Sequence, residues 1–342
     1  MTIHRRDLLK YGAVTTGALT LSRLANAGEE PVTIKVATVA PDGTPWSEQM
    51  KSLKTRVDAA GKGAVRLKPF LGGALGDENA TAAECKRGSI QIWGGSTGAL
   101  ANVVPELGLF ELPYLFRSFA EADHVIDNVL AAEMVKALES KGLKLLFWAE
   151  NGFRHFGTSF GPVKTPDALK GKKMRSQTNE AHLEMYRALG ASPVPIEVTE
   201  VLSSLQTGVV DGFDNTPLFT FAASWHKGIK HYSLTEAIYQ PGVVVANKDW
   251  FGKQTKEVQD ALVADQAGEA QRGRKGVREL GPLLLENFKT EKIALHELTA
   301  EEKLAFAKLC EPTHDKWAAK VKTAAPLLKK AKAALTELRK KG

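Results

Sequence analysis

The chain has 342 residues, 43% of them hydrophobic, and a formal charge of +7 at pH 7, which is long enough for two domains with their own cores. Its densest basic run, Lys329, Lys330, Lys332, Arg339, Lys340 and Lys341, lies on a C-terminal helical pattern without interleaved aromatics, which fits a solvated helix face and excludes a nucleic-acid surface. The two cysteines, Cys85 and Cys310, show no C-x-x-C spacing, which excludes a zinc ribbon or a disulfide framework and leaves either one long-range bridge or two buried small side chains.

Met1–Lys10 reads MTIHRRDLLK, a charged start with an adjacent arginine pair, and Tyr11–Ser22 carries no charge. Ala25-Asn26-Ala27 then supplies the small-x-small pattern of a signal peptidase site. A bilayer span takes roughly 18 or more apolar residues, and this run is shorter. Residues 1–27 are therefore expected to be a cleaved export signal, of twin-arginine type from Arg5 and Arg6, and the protein is expected in the periplasm. Cleavage removes four positive charges and one negative, lowering the formal charge from +7 to +4.

From Val32 onward the pattern alternates strand and helix. Val32–Val39 is a β-branched strand, Trp46–Ala60 has helical spacing, Ala64–Phe70 is a second strand, Thr81–Lys86 continues a helix closed by Gly88, and Ser89–Trp93 is a third strand. This βαβαβ opening predicts a mostly parallel sheet. Gly72, Gly73 and Gly76 form a glycine cluster without the Gly-Lys-Ser/Thr of a phosphate loop. Gly94-Gly95-Ser96-Thr97-Gly98 fits G-x-S-x-G after a strand, so a secreted serine hydrolase using Ser96 is the alternative reading of the whole chain. Against it, a nucleophile elbow should launch a long helix, whereas Pro105 follows soon, and no His-Gly-Gly stretch precedes it to build an oxyanion loop.

The alternation resumes with the apolar strand Leu143–Ala149, the short strand Met174–Ser176, helices Glu180–Leu189 and Thr199–Gln206, and Val209–Phe213, which together predict a second α/β lobe. Leu283–Phe288, Leu304–Leu309 and Trp317–Leu338 read as covering helices. The histidines show no H-E-x-x-H or similar spacing, so neither a metal nor a cofactor is expected. Two arginines stand out. Arg154, in Asn151-Gly-Phe-Arg, falls just past a predicted strand end, where open α/β sheets bind ligands. Arg175 interrupts an otherwise small or apolar short strand. A guanidinium matches a carboxylate bidentately and stays charged at any relevant pH, although either arginine could equally pair with a carboxylate of the protein itself.

Phe110–Phe116 (FELPYLF), Leu169–Arg175 (LKGKKMR), Gly190–Pro195 (GASPVP) and Thr199–Gly212 (TEVLSSLQTGVVDG) resemble the extracytoplasmic binding proteins of tripartite ATP-independent periplasmic (TRAP) transporters, the dicarboxylate-type family. The likeness covers nearly the whole chain after the export signal. It implies an α/β, two-lobed periplasmic binding protein fold, with a mixed, mostly parallel sheet in each lobe and a long bridging helix. The chain would cross near Asn151 and Gln240, giving a first lobe of residues 28–151 and 240–280 and a second of 152–239 and 281–342. In such proteins the arginine at the place of Arg175 grips the substrate carboxylate; the resemblance also implies ligand contacts from Arg154, Asn215 and Glu78. Trp46, Trp93, Trp148 and Phe213 are candidate cleft walls, each with core packing as the alternative. Leu202 stands where the family commonly has Tyr, Thr216 separates Asn215 from Pro217, and Gln240 replaces a frequent histidine. The implied function is capture of a small organic acid and its delivery to membrane permease subunits, by a monomer that is not an enzyme.

Overall fold

Strands β1 (Val32–Ala37), β2 (Val65–Phe70) and β3 (Ile92–Ser96) are parallel and are connected by helices Pro45–Gly61 and Glu78–Arg87. Thr44 and Asp77 cap these helices by accepting backbone N–H groups from the first turn. Met50, Leu53 and Val57, spaced along one face of the first helix, bury against Ile34, Leu67 and Val244. Then follow the long β4 (Leu143–Thr158), the short parallel strands β5 (Lys173–Ser176), β6 (Ser192–Pro195) and β7 (Gly212–Asn215), the long β8 (His231–Asn247), and β9 (Ala294–Glu297). The computed structural model describes residues 30–341; the export signal expected over residues 1–27 lies outside the described residues.

Strand order is β2-β1-β3-β8-β4-β7-β5-β6, with β9 beside β8. The antiparallel pair β4 and β8, 16 and 17 residues long, passes through both halves of this sheet and joins two α/β lobes. Their register is interrupted between Glu150 and Gly152 and between Arg154 and Phe156. Gly152, opposite Gln240, has φ +102°, a conformation that residues with a Cβ rarely adopt. The bulges and this glycine bend the strand without ending it, which is why the strand expected to stop at Ala149 runs on to Thr158. Arg154 therefore lies inside β4 and not past its end.

Helix Gln266–Thr290, 25 residues long, packs on β4, on helix Pro45–Gly61, and on helix Pro217–Ala222, and so bridges the lobes. Its Arg278 binds Glu150 of β4 (Nε to Oε1, 3.0 Å) and Asp123 (Nη1 to Oδ2, 2.8 Å) beside the crossing. The C-terminal segment divides in two. Phe306 and Cys310 of helix Ala300–Lys320 pack against Phe156, Met185 and Tyr186 of the second lobe. Leu328, Ala331 and Leu335 of helix Ala325–Lys341 instead join the cluster of Val125, Ile126 and Leu130, and Arg339 donates to Glu121. The two helices thus pack on different parts of the chain, the first on residues 156–186 and the last on residues 121–130. Cys85 and Cys310 are free and buried in separate clusters; burial pushes both thiols up to about 12, and the long-range bridge is not formed.

Candidate ligand-binding cleft

β5 and β7 run parallel, and their carboxyl ends meet the middle of the sheet, with Arg175 paired in register with Phe213 and Asn215 closing β7. This is where open α/β sheets place ligands. A small pocket lies there, partly open to solvent. It is lined from the second-lobe side by Arg154, Arg175, Gln177 and Asn215, and from the first-lobe side by Thr38, Trp46, Glu78 and Ser96. Arg154, Arg175, Asn215 and Glu78, all expected ligand contacts, are thereby brought together, as is the expected wall residue Trp46.

The two arginines are in different chemical states. Arg154 is 1% exposed and is consumed by the protein: its Nε pairs with Asp214 Oδ2, its Nη2 donates to the Asp214 carbonyl, and Nη1 reaches Gln240 Oε1 (2.8 Å) and Asn215 Oδ1 (3.2 Å). Burial works to raise the Asp214 pKa, but the Arg154 charge and then His182 outweigh it and hold the carboxyl down to about 2. Tyr186 donates to its other oxygen at 2.7 Å. A buried, hydrogen-bonded pair of this kind positions its neighbours and has no fork left for a ligand.

Arg175 is equally buried, at 2% exposure, but has no carboxylate partner among the described residues. Its Nε donates to the Ile196 carbonyl at 2.9 Å, its guanidinium lies 5.1 Å over the Trp225 ring, and Nη1 is buried with no hydrogen-bond partner among the described residues. Burial, followed by repulsion from Arg154, lowers its pKa to about 10. An unpaired buried charge is costly, and an anion placed against Nη1 would remove most of that cost. Asn215, which lines the same pocket, spends its Oδ1 on Arg154 and on the Thr216 N–H (2.8 Å).

On the facing wall, Glu78 is buried and accepts from the Ser96 N–H (2.8 Å) and the Ser96 hydroxyl (3.1 Å). Ser96 Oγ also caps the four-residue helix Thr97–Leu100 and accepts from Gln177 Nε2 at 3.3 Å; no histidine is among its hydrogen-bond partners. The glycine pattern around it has a packing cause. A Cβ on Gly98 would come within 2.6 Å of Gln177 Oε1 and Asn179 Nδ2, and its N–H donates to Glu111. Trp46 donates to Asn151 Oδ1 at 3.0 Å. The remaining expected wall residues are core: Trp93 donates inward to the Glu78 carbonyl and Thr81 (3.2 and 3.1 Å), Trp148 meets Phe110 edge-on, and Phe213 meets Trp225 edge-on.

Behind the pocket runs a polar layer that sequence reasoning missed. Glu111 shares a hydrogen bond with His182 Nε2 (2.7 Å) and accepts from Thr97 Oγ1 (2.6 Å) and Gln240 Nε2 (2.8 Å). Burial would raise the Glu111 pKa, but His182 keeps it below the usual carboxylate range. Gln240 thus joins Glu111 to Arg154. Glu111 sits inside the apolar stretch FELPYLF, where a lone charge was the available signal; Asp214, inside the polar run Asp-Gly-Phe-Asp-Asn, gave none.

Two α/β lobes joined by a pair of long strands, with a buried and unpaired guanidinium in the cleft, define a two-lobed solute-binding protein. The chain belongs to the bacterial extracellular solute-binding proteins, family 7 (DctP), whose pattern it matches over residues 36–320, the binding proteins of TRAP transporters. It is 34% identical over 213 residues to the 2,3-diketo-L-gulonate-binding periplasmic protein YiaO of Escherichia coli, an alignment covering 62% of this chain and 65% of that protein. It is 28% identical over 307 residues to the C4-dicarboxylate-binding periplasmic protein DctP of Rhodobacter capsulatus, covering 89% and 92%. A crystal structure of a TRAP periplasmic solute-binding protein from Sulfitobacter sp. NAS-14.1 with bound β-D-galacturonate superposes with TM-score 0.84 at 25% identity, over 88% of this chain and 99% of that one.

Proposed function

We propose that the protein captures a small organic acid between its lobes, with the Arg175 fork on the ligand carboxylate and Asn215 assisting, and delivers it to the permease of a TRAP transporter. The observation that carries this reading is Arg175 Nη1, buried without a partner beside a guanidinium already satisfied by Asp214. The ligands named for the three relatives, a diketogulonate, C4-dicarboxylates and a galacturonate, all carry a carboxylate. Residues 1–27 act in this reading as a cleaved twin-arginine signal, and the mature protein works as a periplasmic monomer. Ser96 is a helix cap and cleft-wall residue, and the protein performs no chemistry on its ligand.

Two charge-assisted bonds at about 1.5–3 kcal/mol each fall short of the roughly 8 kcal/mol of micromolar binding. Enclosure supplies the rest. We assign residues up to Glu150 to the first lobe and those from Gly152 to Tyr239 to the second, with the two last helices divided as described. On that assignment the lobes are latched across the cleft by the Val198 N–H on Asp77 (2.8 Å), Asn79 on Glu197 (3.0 Å) and Asn102 on Thr178 (3.1 Å). Ligand binding favours this closed arrangement by mass action.

Protein unfolded and refolded to strip carried-over ligand, then heated with each member of an organic-acid panel, tests the reading. A micromolar ligand at ~1 mM stabilises by about 4 kcal/mol, so at least one acid should raise the melting temperature by several degrees while its neutral amide does not. Equal shifts from amides, or ester hydrolysis that disappears in Ser96→Ala, would overturn it.

A further inference from the structure

We infer that the crossing of the two long strands carries a second binding site, an apolar groove beside helix Gln266–Thr290 that takes a small uncharged molecule with its hydrogen-bond acceptor on His155 Nε2. The inference stands apart from the Arg175 clamp. Phe153 of β4, Leu234 of β8, Leu218 of helix Pro217–Ala222, and Val277 and Leu285 of helix Gln266–Thr290 line the groove together with Phe119. The rings of Phe119 and Phe153 lie 5.1 Å apart, centroid to centroid, and offer a surface on which a further ring can pack. The groove has about 380 Å³ of space, is partly open to solvent, and shares Asn151 alone with the interlobe pocket. Small-molecule sites run to roughly 300–1,000 Å³, so a compound of one ring and a short substituent fits.

Three of the polar side chains at the groove are already occupied. Arg278 is held by Glu150 and Asp123, Glu236 accepts from Lys303 Nζ (2.6 Å), and Asn151 donates to Gln240 Oε1 (3.2 Å) and accepts from Trp46 Nε1 (3.0 Å). His155 is not. It is 7% exposed and lines the groove, and its ring makes one hydrogen bond among the described residues, accepting the Glu236 N–H at Nδ1 (3.1 Å). An imidazole that accepts at Nδ1 carries its proton on Nε2 when neutral. Burial, reinforced by the Lys303 charge, pushes the His155 pKa down to about 3, so the ring is neutral at pH 7 and Nε2–H is a donor without a partner. Tyr232 packs against the ring at 5.7 Å between centroids and holds it in place. A donor left open among apolar walls favours an occupant with an acceptor oxygen. An ion entering the groove would lose water and find both charges there paired, which selects an uncharged molecule.

Titration of wild-type protein carrying ¹⁵N-labelled histidine with acetophenone, a ring bearing one carbonyl, tests this by NMR. The imidazole resonance of His155 should move saturably, with a Kd of about 1 mM or tighter, while benzylammonium leaves it in place. His155→Asn keeps an acceptor for the Glu236 N–H and removes the groove donor. In that variant the affinity for acetophenone should fall by about 3-fold or more relative to that for ethylbenzene, which has no acceptor; a merely structural role for His155 would weaken both compounds alike. A wild-type crystal soaked in acetophenone reads the same contact without a variant, with the carbonyl oxygen about 2.8–3.2 Å from Nε2. No saturable shift of the His155 resonance up to about 10 mM acetophenone, an equal response to benzylammonium, an unchanged ratio of the two affinities in a folded His155→Asn, or a soaked ketone whose oxygen lies away from Nε2 overturns the inference.

Discussion

Arg175→Ala is expected to bind the ligand about a hundred- to ten-thousand-fold more weakly than wild type, and its ligand-dependent thermal stabilisation should vanish. The size follows from losing two charge-assisted hydrogen bonds of about 1.5–3 kcal/mol each, at about 1.4 kcal/mol per decade. The free protein should respond in the opposite sense. Nη1 has no partner and the guanidinium is buried over Trp225, so the unliganded fold carries an uncompensated charge. Arg175→Met replaces that charge with an apolar chain that can still pack on the indole, and it removes the desolvation cost of a buried charge without a partner. Thermal unfolding of ligand-stripped Arg175→Met should therefore show a melting temperature at or above wild type, together with no ligand response. A fall of several degrees with binding retained would mean that Arg175 is structural.

Asp214→Ala should behave differently, with a large loss of stability before any question of binding arises. It leaves Arg154 buried at 1% exposure with its carboxylate removed, and breaking one partner of a buried pair costs about 3–5 kcal/mol. The pH dependence carries the same signature. The folded-state pKa of Asp214 is held down to about 2, below the roughly 3.9 of an unfolded aspartate. A depressed carboxylate contributes stability that is fully present above the unfolded value and is lost as pH falls from about 4 toward 2. Asp214→Asn removes that titration, so denaturant midpoints measured from pH 5 down to pH 2 should fall less steeply than in wild type. An unchanged slope would show that Asp214 is not stabilised in the folded protein.

These two expectations separate residues that sequence reasoning had placed together. Arg154 and Arg175 both stood out as charges in apolar settings near strand ends, and nothing local distinguishes them. What distinguishes them is Asp214, 60 residues from Arg154 in the chain and brought beside it by the pairing of β4 with β7. Glu111 and His182 escaped notice as partners for the same reason, and so did the link from Gln240 to Glu111, since these contacts span 71 and 129 residues and leave no periodic trace. The alternating strands and helices were legible because apolar spacing records burial locally. Boundaries were lost where backbone geometry decides them, as at Gly152, which carries a strand through the crossing where a break was expected. Trp93, Trp148 and Phe213 show the limit for aromatics: spacing identifies them as buried, and only the fold says whether they face the core or the cleft.

The account turns on where the carboxylate sits, and a crystal structure of the refolded protein with an organic acid that raises its melting temperature measures that directly. Both carboxylate oxygens should lie about 2.7–2.9 Å from Arg175 guanidinium nitrogens, with the Asn215 amide donating to one of them and Arg154 still on Asp214. A carboxylate bound to first-lobe residues, or an Arg154 released from Asp214 to take it while Arg175 stays unpaired over Trp225, would contradict the account.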